Sequence, residues 1–279
     1  RSRQAYKIRV YEVPDVGRTG RGQNIKNFIT LAEKEEVTAA LDVESFTKAG
    51  GFLIMATTQG IVKKIELAEL ENIRKSGVLA INLENGEKLS WVQKISAGDE
   101  VVCGTRLGMM IHFKEKDVRP MGRSARGVRG INLKKNDEMI SMDVVNDPKK
   151  AECLIISSLG YGKRTKASEY RLQSRGGKGV KAMGLREKKG DVVASFCIVE
   201  PDDEIMIVTK NGIVSKQQVK KISLQKRAAK GVTIQRLDKD DMIVDVAKID
   251  KAMEEANGKN GTTPEAKELI TVESDSAGE

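Results

Sequence analysis

Short apolar runs alternate with polar stretches along the chain, and four of them lead into a glycine. FLIMATTQG ends at Gly60, EVVCGTRLG at Gly108, CLIISSLG at Gly160 and EIMIVTKNG at Gly212. These glycines lie 48, 52 and 52 residues apart, which marks an internal repeat. Each unit continues alike, with a run carrying basic residues (IVKKI, MMIHF, YGKRT, IVSKQ) and then a polar loop. Next come GVLAINL, GVRGINL, GVKAMGL or GVTIQRL, and finally LSWVQKI, ISMDVV, VVASFCIV or MIVDVAKI. Alternation and β-branched content predict a strand for every one of these runs. A fifth, incomplete copy opens the chain: AYKIRVYEV matches the run after the turn, Arg3 falls at the turn-glycine position, and the first strand is absent.

Four strands in about 50 residues is the period of a propeller blade. The expected fold is therefore all-β and propeller-like, with repeats at about 1-50, 51-99, 100-152, 153-203 and 204-249. A doubly wound α/β fold needs amphipathic helices between strands, and no segment shows convincing 3.6-residue periodicity. The best helical candidate runs from Asp250 to Ala256. Beyond it, NGKNGTTPEAKELITVESDSAGE is rich in Gly, Thr, Ser and acids, so residues 250-279 are expected to form an acidic, largely flexible tail.

Charge narrows the function. Lys and Arg number 49 against 40 Asp and Glu, for a net +9. Residues 250-279 hold eight acids and three lysines, a net −5, which leaves +14 on residues 1-249. A polyanionic partner is the first expectation. Cys103, Cys153 and Cys197 each sit inside an apolar run without C-x-x-C spacing, as small core residues of a reducing, cytoplasmic compartment do. His112 is the single histidine and alternates within a strand, so neither a histidine-based triad nor an HExxH zinc site can be built. No apolar run approaches the ~20 residues of a membrane helix, and no membrane partner is expected. Gly162-Lys163-Arg164 and Gly177-Lys178-Gly179 both fail the P-loop pattern, so no nucleotide site is expected.

The loop before the third strand of each unit carries the candidate chemistry. These loops read VGRTGRG (16-22), MGRSARG (121-127), QSRGGKG (173-179) and QKRAAKG (225-231), while ENIRKSG in the second unit breaks the pattern. Four copies thus hold a base, two small or short residues, a second base and a glycine: Arg18/Arg21, Arg123/Arg126, Arg175/Lys178 and Arg227/Lys230. Small residues let a backbone approach a phosphate, and glycine permits the positive φ that aims neighbouring N–H groups at an anion. The bases neutralise phosphates and release counterions, which gives affinity independent of base sequence. A single basic turn is usually only a solvated turn. Four in register are harder to explain that way, because strand packing makes no demand on charge there.

The third loop, QSRGGKG, closely resembles the QRRGGKG box of the C-terminal domains of DNA gyrase A subunits. YGKRTKASEY and VRPMGRSARGVRGI are similar to that family as well, and the resemblance covers about residues 1-249. It implies a β-pinwheel of six four-stranded blades, in which neighbouring blades exchange strands and duplex DNA bends around a basic outer edge. Gln173, Arg175, Gly176, Gly177, Lys178 and Gly179 match the box, whereas Ser174 stands where arginine is usual. With Arg18, Arg21, Arg123, Arg126, Arg129, Lys163, Arg164, Arg227 and Lys230, these residues form the expected DNA-binding set. In the family the box lies in the first blade, and here five repeats are visible with the nearest copy in the fourth. The expectation is a further blade upstream of Arg1.

The resemblance also implies a non-catalytic, DNA-wrapping domain that fixes a positive crossing, so that ATP-dependent strand passage introduces negative supercoils. Its implied partners are double-stranded DNA, the rest of the gyrase A subunit, and the gyrase B subunit in a heterotetramer near the bacterial nucleoid. It implies no cofactor in this domain, with ATP and Mg2+ used elsewhere, and a catalytic tyrosine outside it. Tyr6, Tyr11, Tyr161 and Tyr170 are accordingly read as packing or surface aromatics. Three alternatives stay open: the A-type subunit of topoisomerase IV, a protein-interaction propeller, which aromatic content of 4% disfavours, and a propeller enzyme. The tail is either a solvating terminus or a competitor for the basic edge.

Overall fold

The computed structural model describes residues 2–17, 20–31, 35–47, 51–249 and 268–275. Among them there are only strands and 3-10 turns, and no helix long and apolar enough to cross a membrane. The helical candidate at 250-256 lies outside the described residues.

The first repeat contributes β1 (Ser2–Arg9) and β2 (Glu35–Val43), and the second β3 (Gly51–Thr57), β4 (Ile61–Glu66), β5 (Val78–Asn82) and β6 (Leu89–Ser96). The third gives β7 (Glu100–Thr105), β8 (Met109–Lys114), β9 (Val128–Arg129) and β10 (Met139–Val145). The fourth gives β11 (Glu152–Ser157), β12 (Tyr161–Lys166), β13 (Val180–Lys181) and β14 (Val193–Val199). The fifth gives β15 (Glu204–Thr209), β16 (Val214–Gln218), β17 (Val232–Thr233) and β18 (Ile243–Ile249), and β19 (Glu268–Asp275) follows. The four repeat-marking glycines have φ of 76–84° and turn the first strand of each unit into the second, a conformation only glycine adopts without strain.

The third strand of each repeat leaves its own sheet. Sheet orders are β2-β19-β1-β5, β6-β3-β4-β9, β10-β7-β8-β13, β14-β11-β12-β17 and β16-β15-β18, so β5, β9, β13 and β17 each pair at the edge of the preceding repeat's second strand. This is the exchange that the resemblance implies.

The chain divides into two compact units, Arg1–Ala97 with Val118–Val128 and Thr262–Glu279, and Gly98–Asp117 with Arg129–Gly261. In the first unit, Leu53 and Met55 of β3 pack with Ile65, Leu70, Ile81 and Leu89. In the second, all six residues of β11 are buried. Cys153 and Ile155 join one cluster with Phe196, while Leu154 and Ile156 join another with Ile205 and Ile207, as alternate side chains of a strand covered on both faces must. The cysteines are unbridged, and burial pushes the Cys103 and Cys197 thiols up to about 12, which keeps them protonated and inert.

One expectation needs correction. The last thirty residues read as a flexible tail, yet β19 lies between β1 and β2, with Ala5 opposite Val272 and Val43 opposite Glu268. It fills the place of the first strand that the opening repeat lacks. The physical reason is that Leu-Ile-Thr-Val at 269–272 suits a strand, and the slot between β1 and β2 offers two rows of unpaired backbone groups.

Candidate nucleic-acid interface

Strand exchange fixes where the basic loops lie. Three of them run from the end of a second strand to a third strand at the edge of the preceding sheet: 173–179 connects β12 to β13 beside β8, 225–231 connects β16 to β17 beside β12, and 121–127 connects β8 to β9 beside β4. The loop at 16–22 follows β1, and the first repeat has no third strand among the described residues.

The glycine closing each of these three loops has a structural cause. Gly179 and Gly231 have φ of 71° and 74°, and a Cβ on them would sit 2.4 Å from Met110 O and 2.7 Å from Gly162 O. Positive φ and close backbone approach are needed to seat the third strand on the neighbouring sheet, with or without a bound anion.

The first base of each of these three loops has a partner. Arg175 donates from Nε to Asp117 O (2.8 Å) and from NH1 to Arg129 O (3.2 Å). Arg227 reaches the equivalent carbonyl, Lys181 O, at 3.4 Å, and Arg123 lies 3.8 Å from Glu69. Around Arg175 the loop is stitched further by Gln173 N to His112 O (2.8 Å), Gly176 N to Gly130 O (2.6 Å) and Asn132 N to Gly177 O (2.8 Å). The second base faces outward in two loops, since Lys178 and Lys230 are exposed. In the third, Arg126 is half-buried and meets Glu87 through Nε (3.2 Å) and NH2 (2.9 Å), with NH1 on Glu84. Arg21, Arg129 and Ser174 are exposed, and Arg18 lies outside the described residues.

Two expected rim residues must be reassigned. Lys163 is fully buried, and its ammonium donates to Lys226 O (2.7 Å) and Arg227 O (2.5 Å), so it cannot reach a phosphate from there. Lys63, at the same position of the second repeat, is equally buried and donates to Ala80 O (2.6 Å), Arg123 O (2.7 Å) and Ala125 O (3.0 Å). Burial lowers each lysine from its ordinary value to about 8. Arg164 is bound to Glu152 (2.6 Å) and donates to Ile222 O (2.7 Å). Its register holds a pair in each repeat of the second unit, since His112 Nε2 lies 2.7 Å from Glu100 and Lys216 2.6 Å from Glu204. A glutamate on the neighbouring strand explains the basic residue at that position.

The sequence reading missed other exposed bases. Arg119 and Arg171 stand four residues before Arg123 and Arg175, and Lys181 occupies the place of Arg129. Equal register in successive repeats is the signal that identifies them. The arrangement presents ammonium and guanidinium groups, with no group of three or more His, Cys, Asp or Glu placed to hold a metal ion among the described residues, on backbone loops pinned from several sides. Such loops can neutralise a phosphodiester chain.

The family model described as "DNA gyrase C-terminal domain, beta-propeller" matches residues 2–44, 51–96, 99–146, 151–198 and 203–250, one stretch per repeat. The DNA gyrase A subunit of Staphylococcus epidermidis is 36% identical over 248 residues, 89% of this chain and 28% of the relative. That of Staphylococcus aureus strain MRSA252 is 36% identical over 260 residues, 93% of this chain and 29% of the relative. The chain thus spans under a third of the length of these relatives. Among solved structures, it is similar to a C-terminal domain of DNA topoisomerase IV with a TM-score of 0.81 and 24% identity, covering 92% of this chain and 82% of the other, a likeness of fold alone. A DNA gyrase A C-terminal domain gives 0.72 at 27% identity, covering 88% and 82%. With five matched stretches falling on the five repeats, the chain belongs to the family of β-propeller C-terminal domains of DNA gyrase A subunits.

Proposed function

We propose that this chain is the non-catalytic DNA-binding and DNA-wrapping part of a gyrase A subunit. It bends duplex DNA along its basic loops into a positive crossing. ATP-dependent strand passage by the remainder of that A subunit with the gyrase B subunit, in a bacterial cytoplasm, then leaves negative supercoils. ATP and Mg2+ act elsewhere in that assembly, and this domain needs no cofactor. The observation that carries the reading is the repeated pairing of an anchored first base with an exposed second base, Arg175 with Lys178 and Arg227 with Lys230. Smooth bending of a 20–30 base-pair site by 40–90° costs about 1–6 kcal/mol, so a wrap requires several such loops acting together. Relatives among gyrase A subunits at 36% identity favour gyrase over topoisomerase IV, whose fold likeness is at 24%.

A salt series on a long duplex tests this. Lys178→Ala/Lys230→Ala should weaken binding at all base sequences and make the plot of log affinity against log salt shallower by about 2, since each lost lysine–phosphate contact removes about 0.9 from the slope. An unchanged slope would remove these loops from the interface.

A further inference from the structure

Lys63 and Lys163 raise a question that packing does not answer. A buried ammonium is costly, and a methionine of similar shape would fill either position with no charge to desolvate. Each lysine instead donates to two backbone carbonyls of the basic loop that crosses to its sheet, and Lys63 donates to Ala80 O of β5 as well. Lys63 takes Arg123 O and Ala125 O, and Lys163 takes Lys226 O and Arg227 O. The shared partner is the carbonyl of the loop's first base. Both loops form the same turn, with Ala125 N on Gly122 O (3.0 Å) and Ala229 N on Lys226 O (3.1 Å).

The peptide bonds are trans, so a carbonyl drawn inward sends the following N–H the opposite way. The N–H groups directed away from the lysines are those of Ser124 and Arg126 in one loop and of Arg227 and Ala228 in the other. No described residue accepts a hydrogen bond from any of these four. Arg227 and Ala228 are consecutive, and adjacent N–H groups turned to one side make a concavity suited to an anionic oxygen.

We propose that Lys63 and Lys163 are positioning residues for phosphate binding: each buried ammonium gathers the loop carbonyls beneath it and thereby turns the backbone N–H groups of Ser124 and Arg126, or Arg227 and Ala228, outward as a phosphodiester site. This rests on the DNA-binding reading above and adds the backbone of two loops to it. The loop at 173–179 is a built-in control. Its crossing sheet carries Ile111 at the lysine's position, and Arg175 holds that loop from its own side through Asp117 O and Arg129 O.

The test is a double-mutant cycle on duplex binding by the whole chain. Lys163→Met should weaken binding about tenfold at ~0.1 M salt and make the salt slope shallower by about 1 to 2, although the removed ammonium touches no DNA. Combined with Arg227→Ala/Lys230→Ala it should add little, because both act on one loop, whereas combined with Lys178→Ala the losses should add. Full additivity with Arg227→Ala/Lys230→Ala, or unchanged affinity for Lys163→Met, overturns the proposal. If Lys163→Met does not fold, as circular dichroism reads, Lys63→Met with Arg123→Ala is the same cycle in the first unit, and the same two outcomes there overturn the proposal. Should Arg227→Ala/Lys230→Ala itself leave binding unchanged, the DNA reading of that loop falls and not the clamp alone.

Discussion

An ammonium without a carboxylate partner is harder to hold in an interior than one in an ion pair, and the two buried lysines show this in their acidity. Burial lowers both to about 8. Glu69 opposes that shift at Lys63, while at Lys163 the nearby Arg227 guanidinium adds to it. An unfolded chain holds these protons up to the ordinary lysine value near 10.5, so between about 8 and 10.5 it binds more protons than the fold. Stability contributed by these groups therefore rises with pH across that window, and below about 8 their unfavourable contribution is constant. Denaturant midpoints of the wild type, measured from pH 7 to 10, should gain a rise that Lys63→Met/Lys163→Met lacks; equal pH profiles would mean the lysines titrate normally. DNA affinity should move the other way, falling above pH 8 as the clamps lose charge. Sequence shows where such charges are, but not which are buried. Lys163 and Arg164 are neighbours in YGKRT, yet the period of two sends one inward to carbonyls and the other to Glu152.

A third strand of two residues, such as β13 or β17, cannot hold itself on a sheet, and its seat depends on the loop that delivers it. The glycine at the end of that loop is the hinge of the exchange. Gly231→Ala combines a left-handed conformation with a Cβ 2.7 Å from the Gly162 carbonyl, and it should lower stability by about 1–3 kcal/mol, read from urea unfolding. A loss below about 0.5 kcal/mol would mean the loop reseats easily. In the last sheet, β16 pairs with β15 and has no described strand on its other side, and Ile213 and Val214 are about half exposed. Amide exchange should therefore be fastest in β16 among the second strands, slower in β8 and β12, where β13 and β17 cover the edge. The repeat count and the four strands of the second to fifth units were legible, because alternation and turn glycines survive in each of those copies. The exchange was not legible from pattern alone: GVKAMGL has the same alternation whether it pairs in its own sheet or the one before. What made it expected was the resemblance carried by QSRGGKG and YGKRT.

At the scale of the whole chain, opposite charges are separated along the sequence, +14 over residues 1-249 and −5 over 250-279. The acids were legible from composition; that part of the same segment pairs as β19 was not, since a central strand is stabilised by its two neighbours and only weakly by its own residues. The last thirty residues thus hold two separable properties, a strand and a charge. Ending the chain after Ile249 removes both, and leaves β1 and β2 without the strand between them. It should lower the unfolding midpoint of the first unit, whatever it does to DNA. Replacing Glu254, Glu255 and Glu265 by Gln changes charge outside β19 and should leave that midpoint in place. If the acids compete with phosphate for the basic loops, the same variant binds duplex more tightly at ~0.05 M salt, with the gain vanishing near ~0.5 M as the Debye length shrinks. Equal affinity at low salt would leave the acids a solvating role, and an unfolding midpoint unmoved by truncation would deny β19 its place in the first sheet.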